Sequence, residues 1–275
     1  MNLLVTLDSN YVYPLCVMLR SLVRTHPRVS FDVYVAYAHL TDSDFKTIGD
    51  ALEGSGSRVM GIRVPDTLFD GAPHSKRLTK AAYYRLFASE YLPKTVDRVL
   101  YIDPDTYFLK DISDFYNIDF GDAFYAGCTH NNLFYHVLNV LRLHLPSNSV
   151  YLNSGVLMIN VQALRSFFSP NEVFRYIEKK GTFLFFADQD VLNALYYDRS
   201  LALDAAYYNL DEPCFKRMVK RMGEAAAHDF VRANTCILHY DGKYKPWKAD
   251  YKGRLGDYYP DWARKGETIW AKAGL

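Results

Sequence analysis

The 275-residue chain has no CxxC pair, no glycine-rich phosphate loop near its start and no large excess of either charge. It also has no long apolar run. Its four cysteines, Cys16, Cys128, Cys214 and Cys236, lie far apart, which excludes a zinc cluster or a thioredoxin-type motif and fits free thiols in a reducing compartment. A formal net charge of +1 argues against a general nucleic-acid binder, so no nucleic-acid partner is expected. No stretch reaches the ~18 apolar residues needed to cross a bilayer. The start, MNLLVTLDSN, lacks the basic segment of a signal peptide. The expected location is cytoplasmic, or peripheral on the inner face of a membrane. With 49% hydrophobic residues the chain is not disordered.

What it has in abundance is aromatic side chains, 23 Tyr and 17 Phe, which suit a Tyr-rich core and also sugar- or base-stacking surfaces. The apolar run Leu3–Leu7 reads as a buried strand. Tyr11, Leu15, Met18, Leu19 and Leu22 then form a helical stripe. A second strand follows at 31–37, a helix capped by Thr41 with Asp44 three residues on, and a third strand at 58–64. This βαβαβ rhythm predicts parallel pairing, with ligands beyond the carboxyl ends of the strands, where Asp8, Asn10 and Tyr11 fall. Further helices are expected at 79–92, 161–168, 171–180 and 189–197, and further strands at 98–102, 123–128 and 156–160. Beyond Asp204 the pattern loses its rhythm. The fold class is α/β: a single domain over 1–247, with an irregular basic and aromatic extension over 248–275.

Asp103-Pro104-Asp105, directly after the strand 98–102, is the sharpest chemical feature. Two carboxylates a few ångströms apart repel unless a cation lies between them, and a divalent metal bridging to a diphosphate suits that place. His239 follows an apolar run and precedes a glycine and two lysines, so backbone could approach phosphate oxygens while Lys245 neutralises them. An imidazole with two carboxylates suits Mn²⁺ better than Ca²⁺. Asn153-Ser154-Gly155 could bond ligand hydroxyls or simply turn the chain. Asp188 reads by default as a helix N-cap; Gln189 is a poor base and a poor nucleophile. Residues 215–255 carry ten basic and four acidic residues among aromatics. That segment suits either an anionic membrane surface or a solvated rim folded over the core.

Six motifs in order resemble glycosyltransferase family 8, the retaining nucleotide-sugar transferases that include lipopolysaccharide galactosyl- and glucosyltransferases and glycogenin. They are Val5–Tyr11, Ala82–Leu86, Leu100–Asp105, Tyr151–Val156, Asp188–Asp190, and His239–Gly242 with Lys245–Trp247. The resemblance implies a Rossmann-like nucleotide-diphosphosugar transferase (GT-A type) fold with a mixed, mainly parallel sheet flanked by helices. It implies that Asp103, Asp105 and His239 hold Mn²⁺, with Mg²⁺ as the alternative, against the diphosphate of a UDP-hexose. Thr6, Asp8, Asn10 and Tyr11 would hold uridine. Gly242 and Lys245 would clasp the phosphates. Arg85, Asn153, Asp188 and Gln189 would line the donor sugar, Asp188 and Gln189 as the candidate catalytic residues. The implied activity is retaining transfer of galactose or glucose from a UDP-sugar to a saccharide or glycolipid hydroxyl. Two alternatives stand beside it: a sugar nucleotidyltransferase, disfavoured by the missing glycine-rich loop, and a non-catalytic nucleotide-sugar binder at a membrane. The loop Thr129-His130-Asn131-Asn132 lacks the acidic residue frequent in the family, which bears on the acceptor.

Overall fold

The computed structural model describes residues 1–70, 83–130 and 133–264. Nine strands run through it: β1 (Asn2–Thr6), β2 (Asp32–Tyr37), β3 (Arg58–Arg63), β4 (Arg98–Ile102), β5 (Thr106–Phe108), β6 (Tyr125–Cys128), β7 (Val156–Asn160), β8 (Ser200–Leu203) and β9 (Ile237–His239). Seven of them form one sheet in the order β3-β2-β1-β4-β7-β6-β8. Only β7 runs antiparallel to its neighbours. The mixed, mainly parallel α/β sheet is therefore as the sequence implies.

Both faces of the sheet are covered, and the period of two along each strand divides the core accordingly. Leu3, Val5, Leu100 and Ile102 pack on one side with Leu15, Met18 and Leu19 of helix α1 (Val12–Thr25). Leu4, Val99 and Tyr101 point to the other side, with Phe87 and Phe174. Helix α2 (Asp42–Asp50) begins with the expected cap: the Asp44 amide donates to Thr41 Oγ1 at 3.2 Å, and the Thr41 amide donates to Asp44 Oδ2 at 2.8 Å.

Three expectations need correction. Of the helix expected at 79–92, residues 79–82 lie outside the described residues; Tyr83 is helical, residues 84–87 form turns, and α-helix returns over Ala88–Tyr91. Tyr83, Tyr84, Leu86 and Phe87 are all buried, so core packing on several sides overrides a single helical face. A helix expected to start at Gln189 starts two residues earlier. The region after Asp204 is not irregular throughout: besides two single-turn helices it holds two of eleven residues, Glu212–Met222 and Glu224–Asn234. Their apolar residues, among them Phe215, Met218, Ala227 and Val231, form a third cluster with Leu255, Tyr259 and Ala263. The segment 251–263 is thus folded against the body of the protein; residues 265–275 lie outside the described residues. All four cysteines are free thiols, and no helix among the described residues is long and apolar enough to cross a membrane.

Candidate active site

The carboxyl ends of β1 and β4 lie side by side, because the two strands pair in parallel. β4 delivers Asp103 and Asp105 at that edge, and the Asp103 amide donates to the Gly155 carbonyl at 2.8 Å. His239 arrives by a separate route. β5 pairs antiparallel with β9, with Thr106 opposite His239, and the Tyr240 amide donates to the Asp105 carbonyl at 2.9 Å. This two-stranded ribbon sets His239 Nε2 3.4 Å from Asp105 Oδ1 and 3.9 Å from Asp103 Oδ2. The expected trio therefore converges.

Each member is oriented by further contacts. Asn209, fully buried, places its Oδ1 2.9 Å from His239 Nδ1, and its amide donates to Asn153 Oδ1 at 3.0 Å. Asn153 Oδ1 also accepts the Gly155 amide at 2.9 Å. The Tyr101 hydroxyl donates to Asp103 Oδ1 at 2.7 Å and lies 2.9 Å from Thr6 Oγ1. The Lys245 ammonium donates to Asp105 Oδ2 at 2.6 Å and to the Tyr240 carbonyl at 2.7 Å. Burial pushes the Asp105 carboxyl up, but His239 and Lys245 outweigh it and hold the group well below the ordinary carboxylate range. Burial pulls the His239 imidazole down; Asp105, then Asp241 and Asp103, outweigh that and leave it pushed up to about 9. A divalent cation bound here would displace that proton.

Arg85 spans the next step of the site. Its guanidinium lies over the Tyr101 ring at 4.4 Å, donates to the Ser154 carbonyl at 2.7 Å and reaches Asp103 Oδ1 at 3.4 Å. Its Nε is 3.0 Å from Asp188 Oδ2 as an ion pair. Burial raises the Asp188 carboxyl above its ordinary value even against Arg85. Asp188 is not the helix N-cap expected for it. Phe186 holds that position on α-helix Ala187–Tyr196, and Asp188 in the first turn is free to meet Arg85. Gln189 turns the same way: its Oε1 accepts the Ser154 amide at 3.0 Å, and its amide donates to the Tyr151 hydroxyl at 3.2 Å.

A cleft of about 340 Å³ opens over the paired aspartates, lined by Thr6, Asp8 and Tyr11, as expected, and by Ala38, His39 and Tyr84. Asn10 does not line it; its amide caps back to Asp8 Oδ1 at 2.9 Å. Gly242 is exposed, with open space where a side chain would stand.

The profile of "Glycosyl transferase family 8" matches residues 2–251. The chain belongs to glycosyl transferase family 8. The lipopolysaccharide 1,2-glucosyltransferase of Escherichia coli K12 is 25% identical over 248 residues, 90% of this chain and 72% of that protein. General stress protein A of Bacillus subtilis is 25% identical over 264 residues, 94% of this chain and 91% of that one. The crystal structure of galactosyltransferase LgtC with donor and acceptor sugar analogues superposes with a TM-score of 0.80, at 23% identity and 96% coverage of both chains. The fold is thus that of a GT-A glycosyltransferase.

Five residues of this family 8 site were not anticipated: Ala38, His39, Tyr84, Tyr101 and Asn209. The first two follow β2 directly, so the rule that ligands sit beyond parallel strand ends points to them. Asn209 carries no such signal, because it lies in a segment without legible periodicity. A second group, His130, Asp211 and Cys214, also comes within 4.8 Å. It is a helix start: Asp211 accepts the Cys214 amide at 2.6 Å and meets His130 Nδ1 at 3.0 Å. Burial and Asp211 push the Cys214 thiol up, away from the thiolate that a metal needs. Asn131 and Asn132 of the loop 129–132 lie outside the described residues.

Proposed function

We propose that this family 8 chain is a retaining hexosyltransferase that moves galactose or glucose from a UDP-sugar to a saccharide or glycolipid hydroxyl. The observation that carries this reading is the convergence of Asp103, Asp105 and His239 at the mouth of a nucleotide-sized cleft. Their donor set fits a divalent cation. Separations of 3.4 and 3.9 Å suit ligands sharing one ion at bonds of about 2.1 Å. Gly155 leaves the His239 ring and the Asp103 carboxylate the space that a side chain would take. Two carboxylates and an imidazole suit Mn²⁺, with Mg²⁺ as the alternative.

When bound, the ion offsets negative charge that grows on a departing diphosphate. The chain's own residues supply the rest. Thr6, Asp8 and Tyr11 hold the uridine beneath Ala38 and His39. Lys245, held on Asp105 Oδ2 in this structure, would turn to phosphate oxygens, and Gly242 would leave room for their approach. Arg85, Asn153, Asp188 and Gln189 fix the sugar. The sugar C1–O bond to the diphosphate breaks as the acceptor hydroxyl bonds to C1 from the same face, its proton passing to a diphosphate oxygen. Gln189 is a poor nucleophile, which favours this route over a covalent intermediate. A panel of UDP-sugars tested for Mn²⁺-dependent hydrolysis identifies the donor. Equal UDP affinity with and without Mn²⁺ by calorimetry overturns the metal assignment.

A further inference from the structure

Helix Leu133–Leu143 exposes apolar side chains that a protein surface normally hides. Phe134 is 71% exposed and Leu141 69% exposed, and Tyr135, Val137 and Leu138 are exposed beside them. Phe183, Phe185 and Phe186, just before Asp188, are likewise exposed. The two segments form one surface. Arg142 ties them together, its guanidinium 4.7 Å from the Phe185 ring centre and bonded to the Phe183 carbonyl. Between them lies an open groove of about 840 Å³, lined by Leu138, Leu141, Phe183, Phe185, Lys179 and Lys180, among others.

The charged residues that line this groove, Arg142, Lys179 and Lys180, are all basic, and Arg142 is paired with buried Asp190. Residues 133–150 and 179–187 contain Arg142, Lys179, Lys180 and two histidines but no Asp or Glu. Lys179 and Lys180 end α-helix Pro170–Lys180, and Glu178 on that helix does not line the groove. Exposed aromatic rings beside lysines, with no carboxylate to repel phosphate, match the headgroup region of an anionic bilayer. A second copy meeting this face with its own lysines would find like charge. The surface also connects to the donor-sugar residues: the Gln189 amide donates to the Phe186 carbonyl at 3.0 Å. Tyr151 bridges Gln189 to Asp190, which pairs with Arg142.

The geometry points to this apolar, basic face, rather than the basic segment after Trp247, as the surface by which the protein lies on an anionic lipid bilayer. Insertion there brings the rim of the sugar site close to the lipid headgroups. The test is cosedimentation of the full chain with phosphatidylcholine–phosphatidylglycerol vesicles and with pure phosphatidylcholine vesicles. No donor or acceptor is present, so the outcome is independent of transfer activity. Wild type should bind the anionic vesicles more tightly, and less so as salt is raised. The triple variant Phe134→Ser/Leu141→Ser/Phe185→Ser should lose at least about tenfold, since each ring or chain forfeits its burial in lipid. Lys179→Glu/Lys180→Glu should lose the preference for anionic lipid. A Phe134→Trp variant should gain fluorescence that brominated lipid quenches. No vesicle binding by wild type overturns the proposal. So does triple-variant binding equal to wild type, or loss of binding on Lys248→Glu/Lys252→Glu alone. A wild-type dimer in solution that the triple variant dissolves overturns it in favour of a second copy.

Discussion

Gly155 stands directly against the His239 imidazole. A methyl group there would collide with the ring and come within 2.7 Å of Asp103 Oδ2. Gly155→Ala is therefore expected to displace two of the three proposed ligands at once. Transfer should fall on the order of 10²-fold, as for other losses of a charge-stabilising group. Overpacking should cost about 1–3 kcal/mol of stability. Initial rates across a Mn²⁺ titration, set beside a thermal melt, separate the two effects.

Asp103→Asn and Asp105→Asn should each reduce transfer by on the order of 10² to 10³. Asp105→Asn also frees Lys245 and His239 from their shared partner, so calorimetry should show UDP binding that no longer depends on Mn²⁺. Near wild-type turnover in either variant would sink the assignment.

Arg142 and Asp190 form a bidentate buried pair, with both Oδ atoms within 2.7 Å of the guanidinium and the Tyr151 hydroxyl donating at 2.6 Å. Asp190→Leu strands the arginine and should cost about 3–5 kcal/mol. Arg142→Met/Asp190→Leu should recover much of that loss, since no uncompensated charge remains. Denaturant midpoints of the single and double variants decide it.

Ala187 has φ +46° at the first position of its helix, a left-handed conformation that costs a side chain about 1–2 kcal/mol. It is this turn that aims Asp188 and Gln189 at Ser154 and Arg85. Ala187→Gly should therefore raise the melting temperature, against the usual effect of glycine in a helix. A lower melting temperature would contradict the strain.

Asp211 governs part of the acid limb. Burial pushes its carboxyl up, but His130 and the helix start outweigh it and hold the group at about 2. The unfolded carboxyl takes up its proton near pH ~4. The stabilisation is thus complete above that pH and is lost as pH falls towards 2, about 2 kcal/mol in all. Asp211→Asn should flatten the stability profile over that window and lower the plateau above it.

The N-terminal half of the fold was legible because its strands and helices each obey one period. Leu3–Leu7 and Arg98–Ile102 are buried on both faces, and α1 shows a single stripe. Tyr83–Phe87 misled because every side of that segment is packed. Glu212–Asn234 escaped notice because its two helices are rich in charge and separated only by Gly223. The chemistry was more legible than the architecture that delivers it. Asp103, Asp105 and His239 carry their donor atoms in their side chains, whereas the β5–β9 ribbon that unites them rests on three-residue strands with no pattern of their own.

That ribbon also imposes an order of events during synthesis. Lys245 and Asp105 touch across 140 positions of sequence, so the first half of a nascent chain holds the paired aspartates with Arg85 beside Asp103 but without His239 and Lys245 beside Asp105. Only when the stretch bearing Ile237–His239 leaves the ribosome and docks beside Thr106 does Asp105 acquire those counter-charges. A chain interrupted earlier would lack both the third member of the trio and the lysine that pairs with Asp105.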